Sequence, residues 1–304
     1  MTESAPKSHL PRTGTLVFIA VLLLIGGGAL MMWLPYHRNQ TAIAEVERLG
    51  GETASEIVRP VWIPDGVDDE YLAVFEKVNF VFLSDSKVSD AGVENFRGLT
   101  NLEILSLDNT HVSDAGLEHL QGLNNLEQLH LYNTQVSDAG LGHLRGMINL
   151  VELSLDNTLV SDDGLEHLRG LTKLRILYLN NTQVGDAGLE HLRGLTDVGI
   201  LLLDNTQVSD AGLEHLRKLT KLELLSLNNN QVSDAGLEHL RGLTNLATLS
   251  LENTQVSDAG VEYLRGLTKL TILHLDNTQV TQAGIDKLQK ALPHCKIYWT
   301  PPSE

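Results

Sequence analysis

The 304-residue chain contains a single cysteine, Cys295, so no intramolecular disulfide can form and no cysteine-cluster metal site can be assembled. Basic residues are scarce as well. Twenty-two Lys and Arg stand against 39 Asp and Glu, a formal charge of -17, and a surface of that sign repels a phosphate backbone, which argues against nucleic acid as a partner. Apolar material is plentiful at 42% of residues, enough to bury a sizeable core.

The N-terminus carries the clearest signal outside any periodic pattern. After an N-terminal tail over residues 1–14, the stretch Leu16 to Leu34, "LVFIAVLLLIGGGALMMWL", holds no charge, close to the ~20 residues that cross a bilayer core. Lys7 and Arg12 precede it, Trp33 and Tyr36 stand where an interfacial aromatic belt belongs, and Glu45, Glu47 and Glu52 follow. The pattern predicts a transmembrane anchor over residues 15–36, with the N-terminus cytoplasmic and the bulk of the chain periplasmic or extracellular. A cleaved signal peptide, with a core from Thr15 to Ile25 and small residues at Gly27-Gly28-Ala29, is the alternative, and would leave the chain secreted. The anchor is preferred because "LMMWL" prolongs the apolar run past that cleavage site.

From residue 78 to residue 293 the chain falls into register at a period of 24, giving nine units that start at Val78, Leu102, Leu126, Leu150, Leu174, Val198, Leu222, Leu246 and Leu270. Each approximates L-x-x-L-x-L-D-N-T-Q-V-S-D-A-G-L-E-H-L-R-G-L-T-N, the spacing of a leucine-rich repeat. In the second unit Leu105 and Leu107 alternate at the period of a strand, with Ile104, Ser106 and Asp108 on the other side. The chain turns near Asn109, Thr110 and Val112. Ser113 or Asp114 then caps a short helix that buries Leu117 and Leu120, and Gly122 ends it. No unit can bury its leucines alone, so the nine must stack with strands on one side and helices on the other. Residues 37–77 are read as a linker and N-terminal cap, in which "TAIAEVERLGG" forms a helix stopped by Gly50-Gly51 and the stretch with Trp62, Pro64 and Tyr71 is irregular. At the far end, residues 294–304 are a cap strand and tail, with "CKIYW" closing the stack and Cys295 buried.

Units such as "LLSLNNNQVSDAGLEHLRGLTN" resemble bacterial leucine-rich-repeat proteins close to the cysteine-containing subclass, and the anchor, "IAEVERLGG" and "ALPHCKIYW" resemble membrane-anchored members. The resemblance implies an α/β solenoid, a curved horseshoe with a parallel sheet on its concave face and short helices on its convex face. It also implies a protein-binding role without a named ligand. Relatives of this repeat subclass include F-box adaptors of ubiquitin ligases, but "IPDGVDDEYLAVFEKV" is too short and irregular to stand in for an F-box, and the anchor argues against that setting.

Ser233, Asp234, Glu238 and His239 lie within seven residues and look like hydrolase chemistry. However, "DAGLEHL" recurs unaltered from Asp114, Asp186, Asp210 and Asp234, and a motif copied through a stack offers no unique preorganised site. Structural duties suffice: caps for Ser and Asp, and an i,i+3 pair for Glu238 and Arg241. His119, His143, His167, His191, His215 and His239 form a file on the convex face, where no Cys or second His one turn away completes a metal site, so they read as a solvated face. The Asn column from Asn109 to Asn277, with the neighbouring Thr column, reads as a ladder that satisfies backbone groups in the turn. Neither catalytic nor cofactor-binding nor metal-binding residues are expected.

Function is therefore sought where the units differ, on the outward strand positions. The richest patch spans units three to six: His130, Tyr132, Ile176, Tyr178, Ile200 and Leu202, with Asp156 and Asp204 among a surrounding set of acids. Tyr132 and Tyr178 are the expected anchors, because aromatic side chains bury large area at small entropic cost. The expected function is non-enzymatic binding of a basic or mixed protein or peptide on an acidic concave face. A structural or glycan-binding component of the cell envelope is the alternative reading.

Overall fold

The computed structural model describes residues 33–61, 63, 68, 72 and 75–301. Helix α1 covers residues 33–48. Strands β1 (Glu52–Ile57) and β2 (Glu76–Phe82) follow, and the later units each add one three-residue strand: β3 (Ile104–Ser106), β4 (Gln128–His130), β5 (Glu152–Ser154), β6 (Ile176–Tyr178), β7 (Ile200–Leu202), β8 (Leu224–Ser226), β9 (Thr248–Ser250) and β10 (Ile272–His274). Strand β11 (Lys296–Tyr298) ends the sheet. The order is β1 through β11 in sequence, parallel from β2 onward, with β1 antiparallel to β2. Between strands the chain returns through α2 (Asp90–Val93), α3 (Asp114–Glu118), α4 (Asp138–Leu141), α5 (Asp162–Leu165), α6 (Asp186–Leu192), α7 (Asp210–Leu216), α8 (Asp234–Leu240), α9 (Asp258–Val261) and α10 (Gln282–Ala291).

The core runs continuously along the stack. In the second unit Leu102, Leu105, Leu107, Val112, Leu117, Leu120 and Leu123 are all fully buried, each removing from water a side chain worth about 1.5–3 kcal/mol. Both ends are closed. Ala42 and Val46 of α1 belong to the same core at one end, and Leu288, Leu292 and Cys295 belong to it at the other. The buried Cys295 and the terminal strand are as the sequence suggests, and burial raises the Cys295 thiol to about 11.

The N-terminal cap differs from its sequence reading in two ways. Helix α1 is already formed at Trp33, the first described residue, rather than confined to "TAIAEVERLGG", and so runs through the expected boundary between anchor and cap at residue 36. It ends as expected at Gly50, whose φ of 80° suits glycine. The segment after it forms β1, which covers the exposed edge of β2; a mostly exposed strand, ETASEI, gives no apolar alternation by which to find it. Of the expected membrane anchor, residues 15–36, all but residues 33–36 lie outside the described residues, as do Trp62, Pro64 and Tyr71. Among the described residues no helix is long and apolar enough to cross a membrane.

What holds unit to unit is more specific than leucine packing. In the repeats the aspartate that opens a helix accepts two hydrogen bonds from the serine or threonine that precedes the next one, except at Asp162, where Gly185 supplies only its N–H. Ser113 donates its N–H to Asp90 Oδ1 and its hydroxyl to Asp90 Oδ2, both at 2.7 Å. The same staple joins Ser137 to Asp114, Ser161 to Asp138, Ser209 to Asp186, Ser233 to Asp210 and Ser257 to Asp234, with Thr281 on Asp258 closing the series. Capping is thus secondary. The Ser113, Ser209 and Ser257 hydroxyls accept from their own helices only at 3.3–3.4 Å. The staple also explains the glycine of "DAG". A β-carbon at Gly212 would lie 2.4 Å from Asp186 Oδ1, so the carboxylate occupies the space a side chain would need.

The Asn column has a different cause from the one its polarity suggests. All eight asparagines, and Asp85 in the first unit, have φ between 52° and 60°. Asn tolerates this left-handed conformation better than most residues with a β-carbon, so the column is set by backbone shape first. Side-chain rungs occur at Asn133 to Asn109 and Asn277 to Asn253, both 2.9 Å. The threonines act locally, as where Thr110 donates to the Leu107 carbonyl at 2.6 Å.

Candidate functional site

The parallel register places Ser106, His130, Ser154, Tyr178, Leu202 and Ser226 side by side across β3 to β8. Gln128, Glu152, Ile176, Ile200 and Leu224 form the adjoining column two residues earlier. Of the residues expected at the site, His130, Ile176, Tyr178, Ile200 and Leu202 therefore share one continuous strand face and are half-buried there. Tyr132 stands beside them, 38% exposed, the most open of the group. The serines depart from the sequence reading. Ser106, Ser154 and Ser226 are buried, so they line the floor between the larger side chains instead of offering themselves to solvent.

The acidic residues also carry scaffold duties. Two residues beyond each strand position, Asp108 Oδ1 accepts from Tyr132 N–H at 2.8 Å and Asp156 Oδ1 accepts from Asn180 N–H at 2.6 Å. Asn180 Oδ1 accepts from Asp204 N–H, Asp204 Oδ1 from Asn228 N–H and from the Ser226 hydroxyl, and Asn228 Oδ1 from Glu252 N–H. This column is a side-chain ladder parallel to the sheet. Tyr132 interrupts it: a phenol stands where neighbours carry a carboxylate or amide, and no rung joins Tyr132 to Asp156 N–H among the described residues.

Charge on this face is tuned by burial. Asp156 is pushed up to about 6, first by desolvation and then by the Asp108 and Asp204 carboxylates, against the hydrogen bond from Asn180. The Tyr178 hydroxyl is likewise raised, by burial and by the Glu152 and Asp156 charges. The face is thus acidic and partly desolvated at its centre, a setting in which a complementary cation gains more than it would in open water.

Two further positions belong to this face but escape a patch drawn around units three to six. Phe82 is 42% exposed and Tyr298 36% exposed, at the two ends of the same column. Tyr298 pairs in register with His274, and the rings stack at 4.6 Å with a 5° tilt. The available signal is numerical: Tyr298 follows His274 by one repeat length.

On the helix face four of the histidines are acceptors in a ladder rather than freely solvated rings, whereas His215 Nδ1 is buried without a hydrogen-bond partner among the described residues. Arg97 donates to His119 Nδ1, Arg145 to His167 Nδ1 and Arg169 to His191 Nδ1, at 2.5–3.1 Å. Gln121 plays the same part for His143. An arginine can only donate, so Nδ1 must be unprotonated, and burial together with Arg145 holds His167 below its ordinary pKa. The hydrolase-like set dissolves in the same way, since the Ser233 hydroxyl is committed to Asp210 at 2.5 Å and Glu238 faces Arg241 at 3.9 Å. A cavity of about 270 Å³ lies between α1 and the first unit, lined by Arg38, Asn39, Val58, Phe75, Glu76 and Gly98 among others. Two of its polar side chains are committed to the scaffold: Arg38 donates to the Gly98 carbonyl and Asn39 to the Glu76 carbonyl.

Comparison with known proteins places this geometry. A family model described as a leucine-rich repeat matches residues 170–192 and 218–240. Among solved structures, an internalin C2 from Listeria monocytogenes is similar over 72% of this chain and 86% of its own, at 29% identity and a TM-score of 0.55. A plant peptide hormone receptor, RGFR1 in complex with RGF2, aligns over 68% of this chain and 34% of its own at 14% identity and a TM-score of 0.49. No curated protein matches the chain. The chain has the fold of a leucine-rich-repeat solenoid, an α/β stack with an open parallel sheet and short helices.

Proposed function

We propose that this chain is a membrane-anchored interaction protein that binds a basic or mixed protein or peptide on its strand face. The observation that carries the reading is Tyr132. The repeat gives up a rung of a ladder kept at Asp108, Asp156, Asn180, Asp204 and Asn228 in order to hold an exposed phenol beside His130, Tyr178, Ile200 and Leu202. Local rules broken without structural gain mark functional positions. The acids Asp156 and Asp204 supply the sign of the partner, and the tyrosines supply desolvated anchor area.

The uncharged run Leu16 to Leu34 behind Lys7 and Arg12 is what supports the anchor and its orientation, N-terminus cytoplasmic and repeats outside. Proximity labelling from the repeats in native cells tests both parts. A protein neighbour should be captured by the wild-type chain and lost with Tyr132→Ala combined with Tyr178→Ala. An unchanged set of neighbours refutes the binding face, and recovery of cytosolic proteins alone refutes the topology.

A further inference from the structure

The C-terminal end of the same face carries a second departure from the ladder. At Glu252 the column has a longer carboxylate than the Asp or Asn of most other units, and it does not continue the ladder to Asp276 N–H. Glu252 Oε1 instead lies 3.1 Å from His274 Nδ1. Asp276 follows His274 by two residues, so both side chains project from the strand face, and ligand atoms of Glu252, His274 and Asp276 all lie within 4.8 Å of one another. Among the described residues the Asp276 carboxylate accepts no hydrogen bond, leaving its oxygens available.

We propose that Glu252, His274 and Asp276 form a divalent transition-metal site, best matched to Zn2+. One imidazole nitrogen and two carboxylates suit zinc. At metal–ligand distances of about 2.0–2.2 Å, two ligands of a tetrahedral or octahedral ion lie roughly 3.0–3.5 Å apart, and the His274–Glu252 separation falls in that range. Rotation of the Asp276 carboxylate closes the remaining edge. The imidazole is oriented in advance by its stack on Tyr298, which lowers the entropic cost of ligation. The unit-three histidine provides an internal control. His130 occupies the same strand position, but the residue two further on is Tyr132, and no cluster of three ligands forms there among the described residues. Three protein ligands leave a coordination position for water on the strand face. Binding displaces any proton on Nδ1, so affinity falls in acid.

The test is titration of the full-length chain with Zn2+ by calorimetry, paired with the visible spectrum of the Co2+ form. One strong site per chain is expected, with a Co2+ spectrum of a low-coordinate N/O site. His274→Ala and, separately, the shape-preserving Asp276→Asn should each weaken Zn2+ more than about 10-fold, since loss even of supporting partners costs about 10–100-fold. His130→Ala should leave it unchanged. Far-UV circular dichroism and melting confirm that the variants fold. Absence of a strong site in the wild-type chain overturns the proposal, as does wild-type Zn2+ affinity retained in both variants, which would assign the ion to the histidine file on the helix face.

Discussion

Unit five lacks the hydroxyl half of the staple that joins the other consecutive repeat helices from α2 to α10. Gly185 stands where the neighbouring units have serine; its N–H still donates to Asp162 Oδ1 at 2.6 Å, but Asp162 Oδ2 receives no hydroxyl. Gly185→Ser should restore the bond. The backbone there, φ −128° and ψ −157°, is close to that of Ser209 at −123° and −173°, so no strain is introduced. A β-carbon would meet Gln207 at 3.5 Å and Asp162 Oδ2 at 3.6 Å, ordinary contacts, with the carboxylate already in reach. A hydrogen bond to a charged group contributes about 1.5–3 kcal/mol, and replacing glycine stiffens the unfolded chain by about 0.4–1 kcal/mol. Ordering the hydroxyl and partial solvation of the pair offset part of this, leaving roughly 1–2 kcal/mol. For a domain of 150–250 residues that is about 2–8 °C in Tm. Reversible thermal or urea unfolding measures it, with Ser209→Gly as the reciprocal variant expected to fall by a similar amount. A Gly185→Ser variant no more stable than wild type would refute the assignment of the staple as the inter-repeat fastening.

Three other perturbations follow from the same geometry. Asn181→Ala should destabilise by about 1 kcal/mol because φ is 56° there, while Asn181→Gly should be nearly neutral; urea midpoints for the pair separate backbone shape from side-chain bonding. The native state binds the Asp156 proton more tightly than the unfolded chain does, a stabilisation complete below about 3.8 and lost as pH rises through about 6. Asp156→Asn should therefore gain about 1–2 kcal/mol over wild type at pH 7, discounted for solvent screening from a ceiling near ~3 kcal/mol, and little at pH 3; equal gains at both values would contradict the shift. The Cys295 thiol, buried and raised to about 11, should resist iodoacetamide at neutral pH in the folded chain and react on unfolding, as mass spectrometry would read.

The stack was legible because its signal is repeated. Leucine spacing of L-x-x-L-x-L specifies which side of each strand is buried, and nine copies leave no doubt about register, so Leu105 and Leu107 fall inward as the spacing requires. The fastenings were not legible, because they join residues 23 positions apart. Ser and Asp adjacent in sequence suggest a local cap, whereas the bond runs from Ser113 back to Asp90 in the preceding unit. The cap strand β1 escaped for the opposite reason: it has neither repetition nor apolar alternation, and only its antiparallel pairing with β2 defines it.

The strand face gains meaning from the same comparison between copies. A residue such as Asp108 or Asp204 looks like a ligand for a cation until its hydrogen bond to the next strand's backbone is seen; it then becomes part of the scaffold and only secondarily a source of field. The informative positions are those where that duty is abandoned. Tyr132 abandons it for exposed aromatic area in unit three, and Glu252 abandons it to meet His274 near the C-terminal end. Two independent departures on one face of the stack, at Tyr132 and at Glu252, are what the proposed binding role of that face rests on.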